Sequence, residues 1–249
     1  MWQGLLKSEM TQTWREALQG KSAEEWLSSI SAGIPEDVKR VLGGLRPPTW
    51  EELESLSLID TNDAGVYARL VKSRYEFQMV SDRYLYVGSA SRYGGGLNVR
   101  IAEHTMKTRR SDESRLQRDI RTKDLKGTDR FVTLMVMKMD SPKKEVVLDV
   151  RRTVTLAEAI LTAWLSALQS PSHDLQSLCP WDPQTLEYTG WSSHNPLIKN
   201  VAEPNNEKMG RGLAASPLAA GSLSSVVRST KSVVSLDEIE PPGTSRNLG

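Results

Sequence analysis

The chain predicts an α+β fold: a small central three-stranded sheet flanked by helices, with an added N-terminal helical segment and a disordered C-terminal tail. Three observations predict it. Apolar residues near the N-terminus follow helical spacing, short β-prone runs begin at Gly65, and a long helical period returns from Val147 to Leu168. A change of hydrophobic period from about 3.6 to about 2 marks a change from helix to strand.

In residues 1–60, Leu5, Leu6, Trp14 and Leu18 roughly follow helical spacing, and Trp26, Leu27 and Ile30 form a second apolar patch. Gly33 and Pro35 punctuate the segment. Val38, Val41 and Leu42 predict another short helix that ends at Gly43-Gly44. After Pro47-Pro48, Thr49-Trp50-Glu51-Glu52 has the form of a capping box that opens a further turn or two. The tryptophans here are core candidates, and the helices could pack on the next domain or bind a protein partner.

Residues 61–200 form the second unit. Val66–Val71 and Leu85–Ser89 predict two strands, joined by a long polar connection that carries Lys72, Arg74, Glu76, Asp82 and Arg83. A helix is expected from about Leu97 to about Arg109 and a polar one from about Asp112 to Lys126. The run Phe131–Met137 predicts a fully buried third strand. Val147, Val150, Val154, Ala157, Leu161, Trp164 and Leu168 recur every three or four residues between Pro142 and Pro171, so Glu158 belongs to a long helix. Residues 201–249 hold no aromatic residue and are rich in Ser, Ala, Gly, Pro and Asn. They offer too little apolar surface to offset the entropy of ordering, and disorder is expected.

The 249 residues suffice for one sizeable core or two small ones. No run is long enough to span a bilayer, and the first ten residues lack the pattern of a signal peptide. Cys179 is the single cysteine, which excludes intrachain disulfides and thiolate zinc clusters. An intracellular location, nuclear or cytoplasmic and not secreted, is expected. Residues 64–130 hold 15 Lys or Arg against 8 Asp or Glu, whereas the rest of the chain holds 17 against 23. Such a basic segment in a near-neutral chain suits a polyanion, with Arg109, Arg110, Arg115 and Arg118 as candidate DNA-binding residues.

Between Gly65 and Glu158 the chain carries, in order, Gly65-Val66-Tyr67, Tyr86-Val87-Gly88, Arg100 with His104, and Glu158. Taken singly, the tyrosines would be strand packing residues, and the arginine, histidine and glutamate helix surface residues. Together they are the tools for cutting a phosphodiester. Tyr67 and Tyr86 on neighbouring strands would place two phenols side by side, able to orient or deprotonate water if nearby cations lower their pKa from about 10. Arg100 offers a planar fork for phosphate oxygens. His104 follows one helical turn later on the same face and can exchange protons. Glu158 is a hard oxygen ligand suited to Mg²⁺ (or Mn²⁺).

This constellation resembles the GIY-YIG nuclease family over roughly Asp63–Leu197. Ser89 and Ser91, the run Gly94-Gly95-Gly96-Leu97, and the late Trp191-Ser192-Ser193-His194-Asn195-Pro196 extend the match. The connection between the first two strands is longer than the usual hairpin of that family. The resemblance implies that Tyr67 acts as or assists the general base and that Tyr86 lines the same pocket. It implies further that Arg100 stabilises the scissile phosphate, Glu158 holds a divalent metal, and Asn195 is the late site asparagine. His104 stands where many relatives have His or Tyr, and Gly88 matches the glycine that lets backbone and helix approach closely. His194 is a neighbour of the site by sequence, and His173 has no partner pattern.

A Mg²⁺-dependent endonuclease acting on DNA is therefore expected. The alternative is a nucleic-acid-binding or scaffolding module that keeps the fold without cutting. No P-loop, G-x-S-x-G or dinucleotide fingerprint supports a metabolic enzyme. In the tail, Val233-Val234-Ser235-Leu236-Asp237-Glu238 resembles a SUMO-interacting motif, which implies a contact with a protein partner.

Overall fold

Strand β1 (Ala64–Lys72) organises the molecule, because it pairs on both sides and is buried along nearly its whole length. In the computed structural model it pairs antiparallel with β2 (Arg83–Ala90) and with β3 (Thr128–Met137). The structure describes residues 1–72, 83–105, 128–170 and 174–201, all within one compact unit, Met1–Gly212. The polar connection after Lys72, the helix expected at 112–126, His173 and the tail with its SUMO-like run lie outside the described residues.

The sheet has four strands in the order β3-β1-β2-β4, a correction to the expected three. The fourth, β4, is only Thr189–Gly190 and runs parallel to β2 at Tyr84 and Leu85. Two residues show no alternation, so no sequence period could reveal it. Past β4, Ser192 completes the cover of β2. Its hydroxyl accepts from the Val87 N–H (3.1 Å) and donates to the Val87 carbonyl (3.2 Å), doing for one residue what a strand backbone would do.

A register shift between Val66 and Tyr67 leaves Leu134 as the extra residue of β3. This bulge puts the adjacent residues Leu134 and Met135 in the same core, where strict alternation would send them to opposite faces. The Thr133 N–H donates to the Ser57 carbonyl at 2.9 Å.

Five helices precede the sheet: α1 (Trp2–Leu5), α2 (Gln12–Gln19), α3 (Ala23–Gly33), α4 (Glu36–Leu42) and α5 (Trp50–Ser55). Trp14, Trp26 and Trp50 are almost fully buried and share one core with Val66, Ala68 and Leu70 of β1. Each such indole removes on the order of 200 Å² from water, a gross gain of about 5 kcal/mol. Leu27, expected in the apolar patch, is instead exposed, since it follows Trp26 by one residue and turns about 100° away. The capping box is present: Thr49 Oγ1 accepts from the Glu52 N–H, and the Glu52 carboxylate accepts from the Thr49 N–H.

Helix α6 (Gly96–Thr105) follows β2, and α7 (Lys144–Trp164) follows β3. The expected extension of α6 towards Arg109 passes out of the described residues. Helix α7 ends before Leu168, the last member of its predicted stripe. Ser166 takes a left-handed φ of 49°, and Leu168 then bridges Ser192 beside the sheet. Among the described residues, no helix is long and apolar enough to cross a membrane.

Candidate active site

Alternation along β1 sends Val66, Ala68 and Leu70 into the core under α7, and Tyr67 towards α6. There Tyr67 packs with Leu97, Ala90 and Phe131, with Tyr86 and Ile101 at the margin. The first turn of α6 is pinned from below: the Leu97 N–H donates to the Asp63 carbonyl (3.0 Å) and the Asn98 N–H to the Thr61 carbonyl (3.1 Å). That anchoring fixes which face of α6 meets the tyrosines.

The two motif glycines have separate reasons. A Cβ on Gly65 would stand 2.3 Å from the Met135 carbonyl oxygen and 2.9 Å from Leu97 Cδ1, so this glycine permits the close approach of α6. Gly88 pairs across the sheet with Tyr67, and its Cβ would stand 2.7 Å from Tyr86 Cε1 and 2.8 Å from Tyr67 Oη. Its missing side chain thus makes room for both phenols, not for the helix as the resemblance implied.

His104 closes the group from α6. Its Nε2 lies 2.7 Å from Tyr67 Oη, and its ring meets Tyr67 and Tyr86 edge-on at 5.7 and 6.2 Å. The two tyrosine rings are 6.2 Å apart. Burial, reinforced by Arg100 and Arg69, lowers the His104 pKa to about 4, so the imidazole is neutral at pH 7. Burial also drives both phenols up, with Glu158 acting in the same direction and Arg100 against it. Here desolvation outweighs the cation, and the phenols are protonated at neutral pH. The expectation that neighbouring cations would lower them is corrected.

Arg100 donates to Glu103 Oε2 at 3.1 Å, and 43% of its side chain is exposed, whereas Tyr67 is fully covered. An incoming anion therefore meets Arg100 first. Glu158 approaches from α7. Its Oε2 accepts from the Ser89 hydroxyl at 2.6 Å, and burial raises its pKa to about 7 against the pull of Ser89, Arg100 and Lys199. Both phenols sense its charge. Glu158 also lines a cavity of about 380 Å³. Tyr67, Tyr86, Arg100 and His104 are not among the described lining of that cavity, so the grouping has two connected parts instead of one pocket.

Asn195 stands apart. It is fully buried, its amide donates to the Glu9 carbonyl (2.8 Å), and its Oδ1 accepts from the Leu197 N–H (2.9 Å). It fastens the N-terminal segment to the turn Pro196–Ile198. The adjacent His194 lines the cavity beside Glu158. Arg109, Arg110, Arg115 and Arg118 lie outside the described residues.

The sequence reading missed Arg69, which is buried on β1 and gives Asp129 a two-pronged ion pair at 2.7 and 2.5 Å, with its guanidinium 5.1 Å from the Phe131 ring. Its Nη1 has no hydrogen-bond partner. Strand alternation from Tyr67 would have found Arg69, but Asp129 precedes the predicted third strand. Ser89 was noted only as part of the motif, without its role of holding Glu158.

For a divalent cation, the donor chemistry fits: one carboxylate with an adjacent hydroxyl resembles a site that leaves Mg²⁺ most of its waters. Among the described residues no group of three or more His, Cys, Asp or Glu side chains gathers to form a full protein cage. Comparison with protein-family models, with curated proteins and with solved structures gives no match to this chain.

Proposed function

We propose that this chain is a metal-dependent endonuclease of the GIY-YIG type that hydrolyses DNA phosphodiester bonds. The observation that carries the reading is the hydrogen bond between Tyr67 Oη and His104 Nε2, beside Tyr86 and within the field of Arg100 and Glu158. Tyr67, Tyr86, the Arg100–His104 pair and Glu158 come from four separate elements, and a purely structural sheet has no need of all five.

In this reading the neutral His104 is the proton acceptor. Tyr67 Oη takes a proton from the attacking water as its own proton passes to His104 Nε2, so no free phenolate is formed. Tyr86 confines the water on the other side. Arg100 offers its fork to the nonbridging oxygens, where negative charge grows. Glu158, oriented by Ser89, would hold Mg²⁺ or Mn²⁺, whose chemistry is charge neutralisation at the phosphoryl group.

A second reading, a DNA-binding module that does not cut, is favoured by the complete burial of Tyr67. A plasmid-nicking assay with purified protein in Mg²⁺ and in Mn²⁺ separates the two. The nuclease reading expects nicking, and expects Arg100→Ala to lower the rate by roughly 10²-fold or more with an unchanged melting temperature. Absence of nicking by the wild type with either metal leaves the second reading.

A further inference from the structure

The cavity beside Glu158 lies between the β2–α6 connection, helix α7 and the segment after Ile198. Arg92, Arg151 and Lys199 line it, together with Ser91 and Thr155, and Glu158 is its carboxylate. Three cations against one acid make a site for an anion. Arg151 Nε donates to the Ser91 carbonyl (3.2 Å), which ties helix α7 to the loop that carries Arg92. Arg92 and Lys199 are exposed, and Arg92 is held by a surface ion pair with Glu103 (3.3 Å) that an incoming anion could displace.

Two links join this cavity to the tyrosine group. Glu158 belongs to both. On the other side Glu103 accepts from Arg92 at 3.3 Å and from Arg100 at 3.1 Å, so one carboxylate bridges a cavity arginine and the phosphate arginine. Of aromatic rings the described lining holds only the His194 imidazole, a small surface on which to stack a base. Its hydroxyls and cations are the groups that hold phosphate and sugar. About 380 Å³ accommodates a group of small-molecule size, not a duplex.

We propose that this cavity is a phosphate subsite that takes the backbone of the DNA strand one nucleotide beyond the scissile bond, without reading the base. The identity of the strand rests on the nuclease reading above; the anion site itself does not. The subsite would fix the register of the strand, so that the next phosphodiester falls under Arg100.

The test uses the full chain in EDTA and a labelled 20-base-pair duplex of mixed sequence, with fluorescence anisotropy read across a salt series. Arg92→Ala/Lys199→Ala should bind about ten-fold more weakly, and the slope of log K against log salt should fall by about 2. Lys7→Ala/Arg40→Ala removes the same charge from α4 and the turn after α1 and should cost no more than about two-fold. A second duplex of different composition should give the same loss. Equal losses in the two double variants, no loss in either, a loss confined to one sequence, or no binding by the wild type would overturn the proposal. Nicking in Mg²⁺ with unaltered binding by Arg92→Ala/Lys199→Ala removes the subsite and leaves the nuclease. Loss of binding in that variant, with no nicking by the wild type, removes the nuclease and leaves the subsite.

Discussion

Tyr67 and His104 share a single hydrogen bond of 2.7 Å, and in the proposed reaction that sharing would have a kinetic signature. If the phenol hands its proton to the imidazole, removing either partner removes the same step. Tyr67→Phe and His104→Ala should each lower the cleavage rate by roughly 10²-fold or more, and the double variant should be little worse than either single one. Additive losses would show that the two act separately. Gly88 makes a second prediction at this scale. Gly88→Ala sets a methyl group against Tyr86 and Tyr67, so at least one ring must move. A loss of about 1–3 kcal/mol in denaturant unfolding is expected, together with lost cleavage. The meeting of Tyr67, Tyr86 and His104 was legible because their order along the chain follows two paired strands and the helix after them. The role of Asn195 was not legible, because a carboxamide that caps a turn and one that serves a reaction look the same in sequence; only the partners Glu9 and Leu197 distinguish them.

Helix α5 shows how far local signals carry. Thr49-x-x-Glu52 named its start correctly, since both hydrogen bonds of a capping box involve residues within one turn. The same Glu52 also receives a two-pronged ion pair from Arg46, at 2.9 and 2.6 Å, on the surface. Thr49→Ala removes the acceptor for the Glu52 N–H and leaves the ion pair in place. A loss of about 1 kcal/mol is expected from thermal or denaturant unfolding, and no measurable loss would show that Arg46 and the residue-49 N–H, both bonded to Glu52, hold the turn without the hydroxyl. The end of α7 carried no comparable signal. The apolar stripe continues to Leu168, but the chain leaves the helix at Ser166 so that Ala167 and Leu168 can meet Ser192. That exit is set by the edge of the sheet, a partner some 25 residues later in the chain, and β4 exists for the same reason. Local pattern gives the elements, whereas long-range pairing decides where they stop.

Across the whole molecule, two half-buried groups oppose each other in their response to pH. His104 titrates near 4 when folded against a usual 6.5, so its contribution to stability is complete above pH 6.5 and is lost as pH falls towards 4. Glu158 titrates near 7 when folded against a usual 4.5, so the folded state binds the extra proton between those values and stability is lost as pH rises from 4.5 to 7. Each effect is on the order of 2 kcal/mol after allowance for partial exposure. Between pH 4.5 and 6.5 they have opposite signs, and in metal-free buffer the wild type should therefore show a nearly flat stability. Glu158→Gln removes the falling term, and its unfolding free energy should rise with pH across this window. His104→Gln removes the rising term, and its free energy should fall. Hydrogen bonds hold the surface carboxylates Glu25 and Glu52 low, so their own effect on the pH dependence of stability fades as pH rises above 4.5. Denaturant unfolding in EDTA at pH 4.5, 5.5 and 6.5 measures all three proteins directly. Parallel curves would mean that neither side chain is desolvated as the site requires, and the assignment of His104 as a neutral proton acceptor would fall with them.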